Sequence, residues 1–160
     1  MKITKSSRHS KITGDFAEAL VLYWLSRDAF ECARIHHIGI DLIAHNRRTK
    51  EFMGISVKSR SRAEGTENRV VNLPTDGFVK ARKACEVFGC VPWYAIVVDG
   101  GEVIRAFLLS LRHLEKIVGT EGGMRYWGMS ARCQAAYEKH PEVKRFELRV
   151  QTTSWWDGPI

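Results

Sequence analysis

The sequence predicts a mixed α/β domain with one central sheet. Three observations carry this. Segments with helical spacing of apolar residues alternate along the chain with short runs of strand-like alternation. One run, Pro92-Trp-Tyr-Ala-Ile-Val-Val98, is continuously apolar, as in a central strand buried on both faces. A length of 160 residues with 44% apolar content suffices for one sizeable core and excludes a disordered chain.

Residues 14–25 are expected to form the first helix. Phe16, Leu20, Tyr23 and Trp24 make one apolar stripe; Val21, Leu22 and Leu25 make another, as in a helix buried nearly all round. Glu18 shares the side of Val21, Leu22 and Leu25, at offsets of three, four and seven. Residues 38–44 and 52–58 read as half-buried strands, and the polar stretch 45–51 between them is short enough for a hairpin. A symmetric hairpin pairs Asp41 with Ser56 and puts Lys58 two residues further along the same face. Charges on a buried sheet face are paired or functional.

Residues 59–72 read as a polar, mobile loop. A second helix follows over 76–88, with Asp76 as its cap and Gly89 as its stop. Val79, Ala84, Val87 and Phe88 supply its apolar side; Lys80, Arg82 and Lys83 supply a basic side. After the central strand 92–98 come a turn at 99–102 and a strand at 103–109. A short helix at 111–118 stops at Gly119, and 119–123 is a loop. A helix at 130–139 is closed by Pro141, and 143–150 is a last strand. Trp155 and Trp156 in the tail read as packing residues.

The charge balance is basic, 25 Lys+Arg against 18 Asp+Glu, which suits a polyanionic partner. Lys50, Lys58, Arg60 and Arg62 flank the hairpin, while Lys2, Lys5, Arg8 and Lys11 lead into the first helix. If that helix packs beside the hairpin, both clusters lie near the Asp41 and Lys58 face. No apolar run reaches membrane-span length, and the N-terminus has no apolar signal core. Cys32, Cys85, Cys90 and Cys133 show neither CxxC pairs nor a disulfide framework, and read as free thiols of a reducing cytoplasm. Cys32, His36 and His37 match no structural zinc spacing.

Gly14-Asp-Phe-Ala-Glu18, then Gly39-Ile-Asp41-Leu-Ile-Ala44, then Ser56-Val-Lys58, followed by a basic helix and a central strand, resembles the PD-(D/E)XK nuclease superfamily. The similarity is to its Holliday-junction-resolvase-like and restriction-endonuclease-like members. It implies a restriction-endonuclease-like mixed central sheet flanked by helices on both faces. It implies one nuclease-like domain over 1–160, with motifs within 11–100 and a C-terminal extension at 101–160. The implied activity is metal-dependent endonucleolytic hydrolysis of DNA, on branched or otherwise structured substrates, with Mg²⁺ or Mn²⁺ as cofactor. The implied metal ligands are Asp41, Glu18 and the carbonyl of Val57. Lys58 would position water or stabilise charge, Ser56 would bond a metal-bound water, and Lys11, Arg60, Arg62, Lys80 and Lys83 would meet DNA. A homodimer is compatible with this reading, and His36 and His37 read as surface or dimer residues.

Ser56 departs from the pattern, which has an acid there. Serine is a poor ligand for Mg²⁺. Three outcomes are open: Glu18 supplies the second carboxylate with the Val57 carbonyl, an acid such as Glu64 moves into the role, or the site binds metal weakly and no longer cuts, which leaves a non-catalytic DNA-binding module as the alternative. Structural readings compete at each residue. Asp41 and Lys58 would form an ion pair, Glu18 would close a capping box begun by Asp15, Lys58 would guard a strand edge, and Ser56 would merely fit.

Overall fold

Five consecutive buried residues, 94–98, place one strand in the middle of the molecule. The computed structural model describes residues 5–121 and 124–151. Its elements run α1 (His9–Arg27), β1 (Phe30–His37), β2 (Ile40–Asn46), β3 (Phe52–Ser61), β4 (Val71–Leu73), α2 (Thr75–Phe88), β5 (Val91–Asp99), β6 (Val103–Ser110), α3 (Leu111–Ile117), β7 (Gly119–Glu121), β8 (Met124–Trp127), α4 (Ala131–Lys139) and β9 (Lys144–Arg149). The main sheet has six strands in the order β1-β2-β3-β5-β6-β9, and a second sheet has the order β4-β8-β7. Within the main sheet only β3 and β5 are parallel. Their connection must cross over, and β4 and α2 make that crossing.

Each face of the main sheet carries its own core. On one, Ala17, Leu20, Val21 and Leu25 of α1 meet Leu42, Ala44, Met53, Ile55, Ala95 and Val97. On the other, Phe78, Ala81 and Ala84 of α2 and Leu111 and Leu114 of α3 meet Tyr94, Ile96, Val98 and Phe107. Trp127 and Tyr137 extend this second core, their rings stacked 3.9 Å apart. The mixed sheet with helices on both faces is thus the architecture the sequence predicts.

Several local expectations change. α1 is not buried all round: Ile12, Phe16 and Tyr23 are exposed, because a helix lying on a sheet turns its outer side to water. α1 begins at His9, which leaves Asp15 in mid-helix and removes the capping-box reading of Glu18. α2 begins at Thr75 after Pro74 with no side-chain cap, and Asp76 pairs instead with Lys80 at 2.7 Å. The stretch 59–72 is shorter and more tied than a free loop. β3 continues to Ser61, β4 starts at Val71, and the Arg62 guanidinium donates to the carbonyls of Arg69 and Val70, both at 2.8 Å. The segment 119–123 contributes β7 rather than only a loop. β1, an edge strand with little buried surface, has no counterpart in the sequence reading. All four cysteines are free thiols. Lys2, Trp155 and Trp156 lie outside the described residues.

Candidate active site

The hairpin of β2 and β3 sets the geometry. At its turn, the Asn46 carboxamide oxygen accepts from the backbone N–H groups of Arg48 (3.0 Å) and Thr49 (3.3 Å). That side-chain turn fixes the register, which runs from His45 opposite Phe52 to Leu42 opposite Ile55. One more step puts Asp41 opposite Ser56, the pairing expected from a symmetric hairpin. The ladder stops here. At the other end of β2, Gly39 holds φ +107° against the Lys80 carbonyl, where a Cβ would come to 2.4 Å. The start of β2 thus packs closely on α2 just where its pairing with β3 ends. The Val57 N–H, which a continued ladder would give to Ile40, donates instead to the Asp41 carboxylate at 2.6 Å. In an extended strand a residue's carbonyl points to the same side as its N–H. The Val57 carbonyl therefore faces the same gap.

Side chains reach this gap from both faces. Gly54 lies against the Cys85 and Cys90 sulfurs of the α2 side. Alternation then places Ser56 and Lys58 on that side as well. Ser56 is 2% exposed. Its hydroxyl sits beside the Tyr94 phenol without the alignment of a full hydrogen bond, so the phenol oxygen is buried with no other partner. Burial, with help from Asp41 and Asp76, pushes the Tyr94 hydroxyl up to about 12. Lys58 is half-buried, and among the described residues its ammonium has no ion-pair partner. The structural ion pair of Asp41 with Lys58 is therefore absent.

Glu18 approaches from the α1 side. Its carboxylate pairs with Arg34 of β1 at 3.0 Å. Burial and then the Asp41 charge raise its pKa above the ordinary 4.5, while Arg34 lowers it. Asp41 and Glu18 thus feel one another across the gap, whereas Ser56 and Lys58 lie on the opposite face of the sheet from α1. By the hairpin register Asp41 stays beside Ser56 on the face expected for them and Lys58, and Glu18 reaches the gap from the α1 face, where β2 and β3 part. Two carboxylates and a main-chain carbonyl suit a hard cation that keeps several waters, such as Mg²⁺ or Mn²⁺. Among the described residues no three His, Cys, Asp or Glu side chains cluster, so water and phosphate would complete the shell. Glu64, the alternative acid, is exposed.

The basic residues fall into different situations. Lys11 pairs with Asp15 at 3.4 Å and Lys80 with Asp76, all four well exposed. Arg60 is exposed and donates to the Ser59 carbonyl at 2.8 Å. Lys83 is exposed. Arg62 is committed to its loop. His9, Ser61 and Asp99 were missed by sequence reasoning, whereas Lys5 was expected near this face. His9 bonds Ser61 at 3.0 Å, Ser61 donates to Asp99 at 2.8 Å, and Lys5 donates to the Arg62 carbonyl at 2.8 Å. These contacts tie the start of α1 to the end of β3, so the N-terminal cations flank the strand that carries Lys58. Their spacing in sequence gives no hint of the contacts. Arg34 was missed because β1 was missed. A cavity of about 450 Å³, lined by Trp24, Trp93 and Arg48 among others, lies at the hairpin-turn end of the sheet, away from Asp41.

No protein-family model matches the sequence, and no curated protein matches it. Among solved structures the chain is similar to Hjc of Archaeoglobus fulgidus, a Holliday junction resolvase from an archaeal hyperthermophile. The TM-score is 0.55 at 15% identity, covering 77% of this chain and 88% of that one. The shared property is the fold: a mixed central sheet with helices on both faces, of the restriction-endonuclease-like kind.

Proposed function

We propose that this chain is a divalent-metal-dependent endonuclease acting on branched or otherwise structured DNA. The observation that carries the reading is the Asp41 carboxylate, held at 2.6 Å by the Val57 N–H where the β2–β3 ladder breaks, with the half-buried Glu18 carboxylate of α1 paired to Arg34 at 3.0 Å. The similarity in fold to a Holliday junction resolvase supports the substrate class. Asp41 would be the principal metal ligand, with Glu18 and the Val57 carbonyl beside it. When bound there, Mg²⁺ or Mn²⁺ would lower the pKa of bound water and polarise the phosphoryl oxygen. The chain's own groups do the rest. The Val57 N–H fixes the orientation of Asp41. Lys58, with no ion-pair partner among the described residues, offers its ammonium to the attacking water or to charge developing on phosphorus oxygens. Exposed Lys11, Arg60, Lys80 and Lys83 meet the phosphate backbone.

A second reading, a DNA-binding module without catalysis, is supported by Ser56: neutral, 2% exposed and packed against Tyr94. Cleavage of four-way, nicked and linear DNA with Mg²⁺ or Mn²⁺ separates the two. Asp41→Ala and Lys58→Ala are each expected to abolish cleavage while leaving the fold and most DNA affinity intact, since metal and lysine act on the transition state. Binding without cleavage by wild type, on all three DNA forms with both metals, would leave the second reading.

A further inference from the structure

The charges around the gap balance before any cation or phosphate arrives. Asp41 and Glu18 are negative. Arg34 sits 3.0 Å from Glu18, and Lys58 is two residues along β3 from Ser56. Asp15, which also acts on Glu18, is paired with Lys11 at 3.4 Å. His36 adds a further weak pull on Glu18. Ser56 contributes no charge where an acid would add one. A site of two anions and two cations has little net attraction for a dication. A phosphodiester supplies the missing negative charge, and it also offers Arg34 a new partner in the bidentate geometry that guanidinium and phosphate share.

We propose that Arg34 is the resident counterion of Glu18, and that cation and phosphodiester enter the site together. The phosphodiester takes Arg34 as the cation takes Glu18. This rests on the nuclease reading and adds its order of assembly. Arg34 is suited to the exchange. It lies on edge strand β1, its side chain is 35% exposed, and among the described residues its one further anchor is the Asp15 carbonyl at 3.1 Å. Glu18, 21% exposed, is the more enclosed partner and stays in place.

The test is Mn²⁺ binding to the whole chain, read from the electron paramagnetic resonance of free Mn²⁺, with and without a four-way DNA junction. Wild type is expected to bind Mn²⁺ weakly alone and at least about five-fold more tightly with DNA, the lower end of ordinary coupling. Arg34→Gln should bind Mn²⁺ about five-fold more tightly than wild type without DNA, and gain less from DNA. Arg34→Lys keeps the charge and should match wild type without DNA, which separates charge from packing, but should gain less from DNA because an ammonium cannot hold a phosphate bidentately. Arg34→Gln with no gain in DNA-free affinity would overturn the proposal, while Asp41→Asn losing DNA-dependent Mn²⁺ binding would keep the nuclease reading alive. Mn²⁺ bound by no form, with or without DNA, would sink both.

Discussion

Glu18 holds its charge at a cost. Burial is the first cause and the Asp41 carboxylate the second, and Arg34 offsets them only in part. The folded chain therefore binds a proton at Glu18 more tightly than the unfolded chain does. Its contribution to stability is fully present below the ordinary value of 4.5 and is lost as pH rises through the raised one. Glu18→Gln removes that cost. Its melting temperature should exceed that of wild type near pH 7, and the gap should close below pH 4.5. A gap of constant size, or one of opposite sign, would show that the Arg34 pair outweighs burial. A carboxylate kept at a cost to stability is what a ligand site requires. Ser56 makes a complementary case. It sits beneath α2 next to a phenol, so Ser56→Glu places an acid in a closed space. It should lower the melting temperature without metal and regain it with Mn²⁺ if the gap binds a cation.

The β2–β3 hairpin was legible in the sequence because alternation, a polar turn and the Gly39-Ile-Asp41 start all agree on one register. α2 and its Gly89 stop were legible for a similar reason: the capping glycine takes φ 65° at the end of a basic amphipathic segment. β1 was not legible. Most of Phe30–His37 is exposed, so no apolar period marks it, and Arg34 stayed hidden with it. The small sheet was missed because β4 and β7 are three residues each and draw their pairing from β8 rather than from local pattern. Gly54 shows what a sequence cannot state about an element. A Cβ there would meet the Cys85 and Cys90 sulfurs, each at 2.6 Å, and Ile40 at 3.2 Å. The glycine makes room for two thiols between α2 and the strand that carries Ser56 and Lys58. Gly54→Ala should destabilise by about 1–3 kcal/mol, the usual range for overpacking. The loss should shrink in a Cys85→Ala, Cys90→Ala background. Denaturant unfolding of the four proteins gives the coupling, and strictly additive losses would mean that the strain is relieved elsewhere.

At the scale of the whole molecule, a net charge of +7 acts only through where the cations sit. Lys5, Arg8 and Lys11 at the start of α1 are brought to the end of β3 by the chain of His9, Ser61 and Asp99. Arg60 and Arg62 follow Lys58 on the same strand and its exit. From sequence these two arginines look equivalent as DNA contacts, and in the structure they are not. Arg60 is exposed and, among the described residues, bonds only its neighbour's carbonyl. Arg62 is partly buried and pins residues 69 and 70. If the face beside the Asp41 gap is a DNA footprint, the logarithm of affinity should fall with the logarithm of salt at roughly −0.9 per phosphate neutralised. Arg60→Glu should flatten that slope by about one contact and leave the melting temperature unchanged. Arg62→Glu should lower the melting temperature first, because the carbonyls of Arg69 and Val70 lose the donor that ties them to the end of β3. Fluorescence anisotropy over a salt series, paired with thermal unfolding of each variant, distinguishes the two arginines. An unchanged slope for Arg60→Glu would move the footprint off this face, and α2, where exposed Lys83 stands clear of the Asp76–Lys80 pair, would be the next surface to reverse in charge.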